Sequence, residues 1–371
     1  MCGGSAESKG KKKRQLVSPL GELRVKRRVY KCKDCNHYFY PLDHHLEIAR
    51  SSASKRFAKI SAMMSVFAPF EHVRTMLSET LDIQVSRTFL SQIAHRIGSK
   101  FYQQAQQNQE TSLSEDQGPE TLYIQADGAM VPISGEEGLE FKENKLGLVF
   151  SEEDIEHRKT KNGKEHTKIH HKRFTTSLAK GTDEFKEMLH NSAKSKGLEQ
   201  AKTTIFLSDG ASWLRKYRRE YYPGAIQILD WYHVVDHLWA TAHKLWGETQ
   251  KQKSEKWVEP LKDLLWEGKT IEVLDRIREH ALKRKKNQTP LWELHTYLFN
   301  NKDFLRYPEY RSKGYYIGSG AIESANKYVV TNRMKMAGMR WSIQKANSLI
   351  WLRCKYFEDQ WDSTWEQIES S

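Results

Sequence analysis

Residues 203 to 211 read Thr-Thr-Ile-Phe-Leu-Ser-Asp-Gly-Ala, and residues 121 to 129 read Thr-Leu-Tyr-Ile-Gln-Ala-Asp-Gly-Ala. Each is a short, largely apolar run of strand type that stops at Asp-Gly. Such an ending puts a carboxylate at the carboxyl edge of a strand, where α/β sheets bind ligands, and the glycine lets the backbone turn away. One Asp-Gly alone is an ordinary turn signal. Its repetition at Asp127 and Asp209 points to a site.

Outward from these two runs, strand patterns occupy Asn144 to Phe150, Arg173 to Leu178 and Ala225 to Leu229, with helical patterns at Thr182 to Ser195 and Ala211 to Tyr221. Consecutive strands followed by strand-helix-strand alternation predict an α/β domain with a mixed sheet. From Trp231 to about Phe299 the chain reads as helical and rich in Trp, Leu and His, and a further helical pattern runs from Ala321 to Phe357. Upstream, Leu16 to Asp43 alternates like short strands. Phe70, Val73 and Leu77, then Phe89, Ile93, Ile97 and Phe101, fall at helical spacing, with Ser86 as the N-cap of the second helix. The polar stretch 108–120 reads as a linker or surface loop.

The chain has 371 residues, 38% of them hydrophobic, enough for two or three domains with a real core. No run approaches the length of a membrane span, and the N-terminus is polar and lysine-rich without an apolar signal segment, so a cytoplasmic protein is expected. The formal net charge is +13. Residues 1 to 50 hold twelve Lys/Arg against five acids, and residues 327 to 357 hold seven Lys/Arg and no acid, leaving the rest about neutral. Two basic blocks around a balanced middle suit a polyphosphate ligand, although solubility alone also accounts for basic runs.

A third acid, Glu323, follows the loop Gly318-Ser319-Gly320 and falls on the first turn of a predicted helix. Alone it reads as a carboxylate favouring the helix dipole. Three carboxylates on separate elements are also what two Mg²⁺ (or Mn²⁺) ions need, since these take hard oxygen ligands and together promote attack on a phosphodiester.

The order Asp127-Gly-Ala, Ser208-Asp209-Gly-Ala, a helical stretch, then Gly318-Ser-Gly-Ala-Ile-Glu323-Ser-Ala-Asn326 resembles the DDE transposases of bacterial insertion sequences, most of all those related to the Mutator-like superfamily. The resemblance covers roughly Tyr30 to Phe357. It implies an RNase H-like mixed-sheet catalytic core with an all-helical insertion, preceded by a small zinc-ribbon-like β element and a helical DNA-binding region. On this reading residues 1–50 are the basic ribbon-like element and 51–107 the helix-turn-helix-like region. Residues 121–232 begin the core, 233–315 are the insertion, and 316–371 complete the core with the Glu-bearing helix and basic C-terminal helices. Asp127, Asp209 and Glu323 would be the catalytic Mg ligands. Asp230 and His233, in Asp-Trp-Tyr-His, resemble the family's acid-or-Cys, two-residue, His signature and would support the site.

His233 and His237 stand one helical turn apart, as in a zinc hydrolase, but the acid between them is misplaced for that motif and packing is the simpler reading. Cys32 and Cys35 have zinc-knuckle spacing, and Cys2 with its two glycines looks like the end of a matching knuckle. The similar transposases carry a full Cys-x-x-Cys on each side, a pattern from which this chain departs. His37 or His44 are alternative fourth ligands for a structural Zn, and a degenerate ribbon is the other reading. Cys354 sits in an apolar helical setting as a core residue. Trp239, Trp246, Trp257, Trp266 and Trp292 are expected mostly in the core of the helical stretch. Trp341 is either core or a platform for an unpaired base, and Arg333, Lys335 and Arg340 are the expected DNA contacts.

The expected activity is therefore metal-dependent cleavage at transposon ends followed by 3′-hydroxyl strand transfer, by a homo-oligomer on DNA in the cytoplasm, associated with the nucleoid. The alternatives are a catalytically inactive DNA-binding derivative and a nuclease that cuts without joining.

Overall fold

The computed structural model describes residues 2–46, 48, 51–107, 118–159, 165–178, 181–284, 286–359, 361–362 and 365–366. In chain order, β1 (Ala6–Ser18), β2 (Gly21–Cys32) and β3 (Tyr38–Phe39) are followed by α1 (Pro41–His45), α2 (Lys55–Phe67), α3 (Phe70–Leu81) and α4 (Arg87–Gln107). Next come β4 (Thr121–Gly135), β5 (Gly138–Ser151), β6 (Ile155–Lys159), β7 (Glu165–Ile169), β8 (Arg173–Ser177), α5 (Gly181–Ser195), β9 (Thr203–Ser208), α6 (Ser212–Tyr221) and β10 (Ile226–Leu229). Helices α7 (Trp231–Trp246), α8 (Lys251–Trp266), α9 (Thr270–Lys283), α10 (Thr289–Asn300) and α11 (Tyr307–Ser312) lead to α12 (Gly320–Ala325), a π-helical stretch (Asn326–Thr331), α13 (Asn332–Met334) and α14 (Ile343–Phe357). The chain divides into two compact units. One is Met1–Gln106 with Ile133–Leu139 and Asn332–Ser371; the other is Gln107–Pro132 with Glu140–Thr331.

In the first unit, the polar, lysine-rich leader is a strand: β1 pairs antiparallel with β2 from Ala6↔Cys32 to Ser18↔Gly21. Cross-strand pairing supplies the order that its exposed side chains do not. The hairpin is tied to α1 by Asp43, 4% exposed, which accepts from Arg14 and Arg27 at 2.6 Å each. Two cations on one buried acid hold by geometry, and losing the acid leaves both uncompensated. Ser54 caps α2, and Ser86 caps α4 through Phe89 N–H at 3.1 Å. The middle of α14, Ala346 to Cys354, is buried on every side. Gly98 lies where a Cβ would sit 1.9 Å from the Ser348 carbonyl oxygen, so α4 and α14 meet backbone to backbone.

The second unit is built on a five-stranded sheet of order β10-β9-β4-β5-β8. Strands β10, β9 and β4 are parallel, and β8 runs antiparallel to β5. The neighbours β4 and β5 are joined by Glu136 and Glu137 alone, a connection only an antiparallel pair can make. Leu122, Ile124 and Ala126 pack on one face with Phe185 and Leu189 of α5 and Leu214 and Tyr217 of α6. Period-two alternation then sends Tyr123, Gln125 and Asp127 to the opposite face.

Three expectations change. Asp127 does not end its strand: β4 runs on to Gly135, while its ladder with β9 stops at Gln125. The linker reading falls mostly on residues 108–117, outside the described residues; Pro119 and Glu120 accept from Lys202 and Thr203 N–H, so they belong to the sheet edge. The tryptophans of the helical stretch are only partly covered, Trp266 being 37% exposed, and its buried positions are instead Val234, Leu238, Val258, Leu261, Val273 and Ile277. An indole is too large to disappear between helices this short, whereas branched aliphatics fit. Among the described residues, no helix is long and apolar enough to cross a membrane.

Candidate functional site

Parallel pairing sets the level of the acids. Tyr123 pairs with Ile205 and Gln125 with Leu207, so the same register carried two residues on brings Asp127 level with Asp209. Leu229 pairs with Ser208, so Asp230 comes level with Asp209 on the other side. Neighbouring parallel strands lie about 4.8 Å apart, so these acids crowd one sheet edge. Burial pushes the Asp127 carboxyl above its ordinary value, and the charges of Asp209 and Glu323 push it the same way, against hydrogen bonds from Gly128 N–H and Asn326. The backbone escapes at Asp209 through Gly210, at φ 86°. Asp209 Oδ1 accepts from Ala211 N–H at 2.8 Å.

The Tyr123-Gln125-Asp127 face of β4 grips the segment that carries Glu323. Tyr123 Oη accepts from Tyr316 N–H at 3.1 Å. Gln125, fully buried, donates to Gly318 O at 3.3 Å and accepts from Ile322 N–H at 3.2 Å. Asn326, the first residue of the π-helical stretch, donates to Asp127 Oδ2 at 2.7 Å. Such π-helical irregularities are frequent at functional sites, where they re-aim a side chain. Glu323 itself is exposed, and Ser319 Oγ–H reaches its Oε1.

Asp230 is 0% exposed and serves as the N-cap of α7, accepting from Tyr232 and His233 N–H at 3.0 Å each. It also accepts from Ser319 N–H at 2.8 Å and from Ser319 Oγ–H. Burial raises its carboxyl above the ordinary range despite these bonds. The single hydroxyl proton of Ser319 is thus within reach of both Asp230 and Glu323 and can serve one at a time. Gly318 lies against Tyr232, since a Cβ there would come 2.5 Å from that exposed ring and displace it.

His233 does not touch the three acids. Its Nε2 lies 3.1 Å from His237 Nε2, and His237 stacks on Tyr297 at 4.2 Å. Tyr297 in turn donates to the backbone oxygen of Asp209 at 2.9 Å. Burial lowers the His237 imidazole to about 4, so it is neutral at ordinary pH. Sequence reading assigned nothing to Gln125, Ser319, Asn326 or Tyr297. A signal existed for Gln125, an amide inside an apolar strand run, because a buried amide must find partners.

The thiols lie in the other unit. Cys2 Sγ is 3.3 Å from both Cys32 Sγ and Cys35 Sγ, and the three sulfurs lie within 4.8 Å of one another. Backbone N–H groups of Cys35 and Asp34 point at Cys32 Sγ and lower its thiol to about 7. The His37 N–H points at Cys35 Sγ, while the neighbouring thiols of Cys2 and Cys32 hold Cys35 above its ordinary value. Gly4 packs so closely on Asp34 that a Cβ would overlap its carboxylate. Three sulfurs this close, two of them met by backbone N–H groups, are a ligand set that could hold a soft-ligand cation.

The C-terminal basic block divides. Lys335 and Arg340 are exposed, but Arg333 is 1% and Trp341 6% exposed. Arg333 donates to Ser65 O at 3.2 Å and lies between the Phe70 and Trp341 rings, and Trp341 Nε1–H donates to Met334 O at 3.1 Å. Both are interior residues, which removes them as surface contacts to DNA: a helical pattern with no acids conceals which of its cations point inward.

No curated protein matches the chain. Residues 7–367 match the Uncharacterised protein family (UPF0236), and with nearly the whole length covered, the chain belongs to that family.

Proposed function

We propose that the chain is a DNA transposase of the insertion-sequence type, with an RNase H-like core, that cuts at the ends of its element and joins the freed 3′-hydroxyl to target DNA. The observation that carries the reading is the crowding of Asp127 with Asp209 and Glu323 at one sheet edge, where each charge raises the cost of ionising Asp127. Among the described residues these three acids form no ion pair, and like charges gathered so are suited to a divalent ion. Strand order supports the fold assignment: an antiparallel trio, β8-β5-β4, continues into parallel β9 and β10, and helices α7 to α11 separate the sheet from Glu323.

Asp127, Asp209 and Glu323 would hold two Mg²⁺ or Mn²⁺ ions, which when bound activate the attacking oxygen and stabilise the leaving oxygen of the phosphodiester. The chain's own residues hold that edge in shape. Asn326 fixes the Asp127 carboxylate, Gln125 and Asp230 clamp the loop that presents Glu323, and Tyr297 braces the backbone at Asp209. Cys2, Cys32 and Cys35 would hold a structural zinc that stiffens the end of the β1–β2 hairpin. The helical region α3–α4 and exposed Lys335 and Arg340 would contact DNA phosphates, with the protein acting as a homo-oligomer on DNA.

The test incubates the purified chain and Mg²⁺ with labelled DNA taken from the borders of its own gene. Joined products ending in the labelled 3′-hydroxyl are expected. Nicked ends without joining would make it a nuclease, and binding without either would make it a DNA-binding derivative.

A further inference from the structure

We propose that the two-stranded ribbon β6–β7 is a DNA-binding arm that seats in the major groove of duplex DNA. The ribbon is a sheet of its own, joined to no strand of the five-stranded sheet. Ile155 pairs with Ile169, Glu156 with Lys168, and His157 with Thr167. An isolated two-stranded ribbon is only marginally stable, so its root must be fixed. That root is Asp154, 7% exposed, whose Oδ2 accepts from Ser151 N–H at 2.8 Å, Ser151 Oγ–H at 2.9 Å and Lys196 Nζ at 2.7 Å. The Asp154 carbonyl accepts from His170 N–H at 2.9 Å, locking the two strands where they leave the unit.

Beyond the root the described side chains of the ribbon turn to solvent. Ile169 is buried, but His157, Arg158, Thr167 and Lys168 are exposed, and no apolar stripe continues along either face of the described residues. A protein groove or a lipid surface would call for such a stripe. Between Ile155 and Ile169 the sequence instead holds five Lys/Arg and two His against two Glu. One of those acids, Glu156, is already taken by Arg158 at 2.7 Å and His170 at 2.8 Å. What remains is a stiffly rooted cationic ribbon whose complement is a polyanion. Shape selects the kind: the major groove of B-DNA, about 12 Å wide, admits a two-stranded ribbon, whereas the major groove of duplex RNA is too narrow for side chains to read. The proposal rests on the reading that this chain handles DNA, and is independent of the three carboxylates.

The test measures binding of the full chain to a labelled 30-base-pair DNA duplex, and to an RNA duplex of the same sequence, between about 50 and 200 mM salt. The double variant Arg158→Ala/Lys168→Ala is compared with Arg158→Lys/Lys168→Arg, with thermal melting to verify folding. If the arm lies on phosphates, the alanine variant lowers the slope of log affinity against log salt by about two on DNA, while the charge-keeping variant retains it. An unchanged slope in a chain that binds DNA overturns the arm and leaves the transposase reading intact. A parent chain that binds no duplex DNA overturns both. An equal loss on duplex RNA overturns the groove assignment and leaves only a general cationic surface.

Discussion

The carboxylate edge of the second unit and the thiol cluster of the first reach a similar end by opposite means. The acids come from positions as distant in sequence as Asp127 and Glu323, and long-range order brings them together: parallel register, then a buried glutamine, serine and asparagine that clamp the third acid's loop. The thiols need one hairpin. Cys32 and Cys35 share a turn, and β1 returns Cys2 beside them through the Ala6↔Cys32 pair. The edge is half-buried and built from distant segments, the cluster local, with Cys2 and Cys35 exposed and Cys32 buried. Damage to the first should therefore spread through its unit, and damage to the second should stay at the hairpin.

The largest structural effect is expected at Asp230. Asp230→Ala removes the α7 cap and leaves the N–H groups of Tyr232, His233 and Ser319 without their acceptor, a loss of about 3 kcal/mol or more by urea unfolding. A change below about 1 kcal/mol would mean that the clamp on the Glu323 loop is not structural. Next is Cys32→Ser with Cys35→Ser. Metal analysis of the parent should find about one zinc per chain, and the double variant none. The melting of the variant should change little beyond the hairpin, because the other unit shares none of these ligands. Zinc retained by the variant would remove the thiol cluster from the account. The smallest effect belongs to Lys335→Ala with Arg340→Ala, which should reduce the salt slope of DNA binding by about one unit per phosphate contact without altering stability. Arg333→Ala should instead destabilise the protein, because this arginine is interior; a stable Arg333→Ala chain with reduced salt slope would reverse that assignment.

These contrasts also explain what could be read in advance. Strands at Thr121, Asn144, Arg173, Thr203 and Ala225 were legible because each is a short run of apolar or β-branched strand-type residues, and the structure has β4, β5, β8, β9 and β10 there. The ribbon β6–β7 was not, since it has almost no apolar residues and its charge vanishes when averaged over the acidic stretches around it. The leader strand β1 was hidden likewise: its partner β2, not its composition, makes it a strand. At the candidate site the acids could be picked out by their Asp-Gly and Gly-Ser-Gly contexts, whereas Gln125, Ser319 and Asn326 acquire meaning only through partners nearly 200 residues away or across a loop. Arg333 shows the reverse failure: a basic block was read as surface although this arginine is interior, while for Trp341 the structure has the core alternative.

The central claim is that the crowded acids exist to hold divalent metal for phosphodiester chemistry, and Asp209→Asn tests it most directly. The amide keeps the size of the side chain and an oxygen able to accept from Ala211 N–H, so the turn at Gly210 should survive. It removes the charge that draws in a paired ion. Measured with Mg²⁺ on labelled element ends, cleavage and joining should fall by roughly a thousandfold or more, as expected when several kcal/mol of transition-state stabilisation are lost, with DNA binding nearly unchanged. A folded Asp209→Asn protein that cuts and joins at the parental rate would contradict the account.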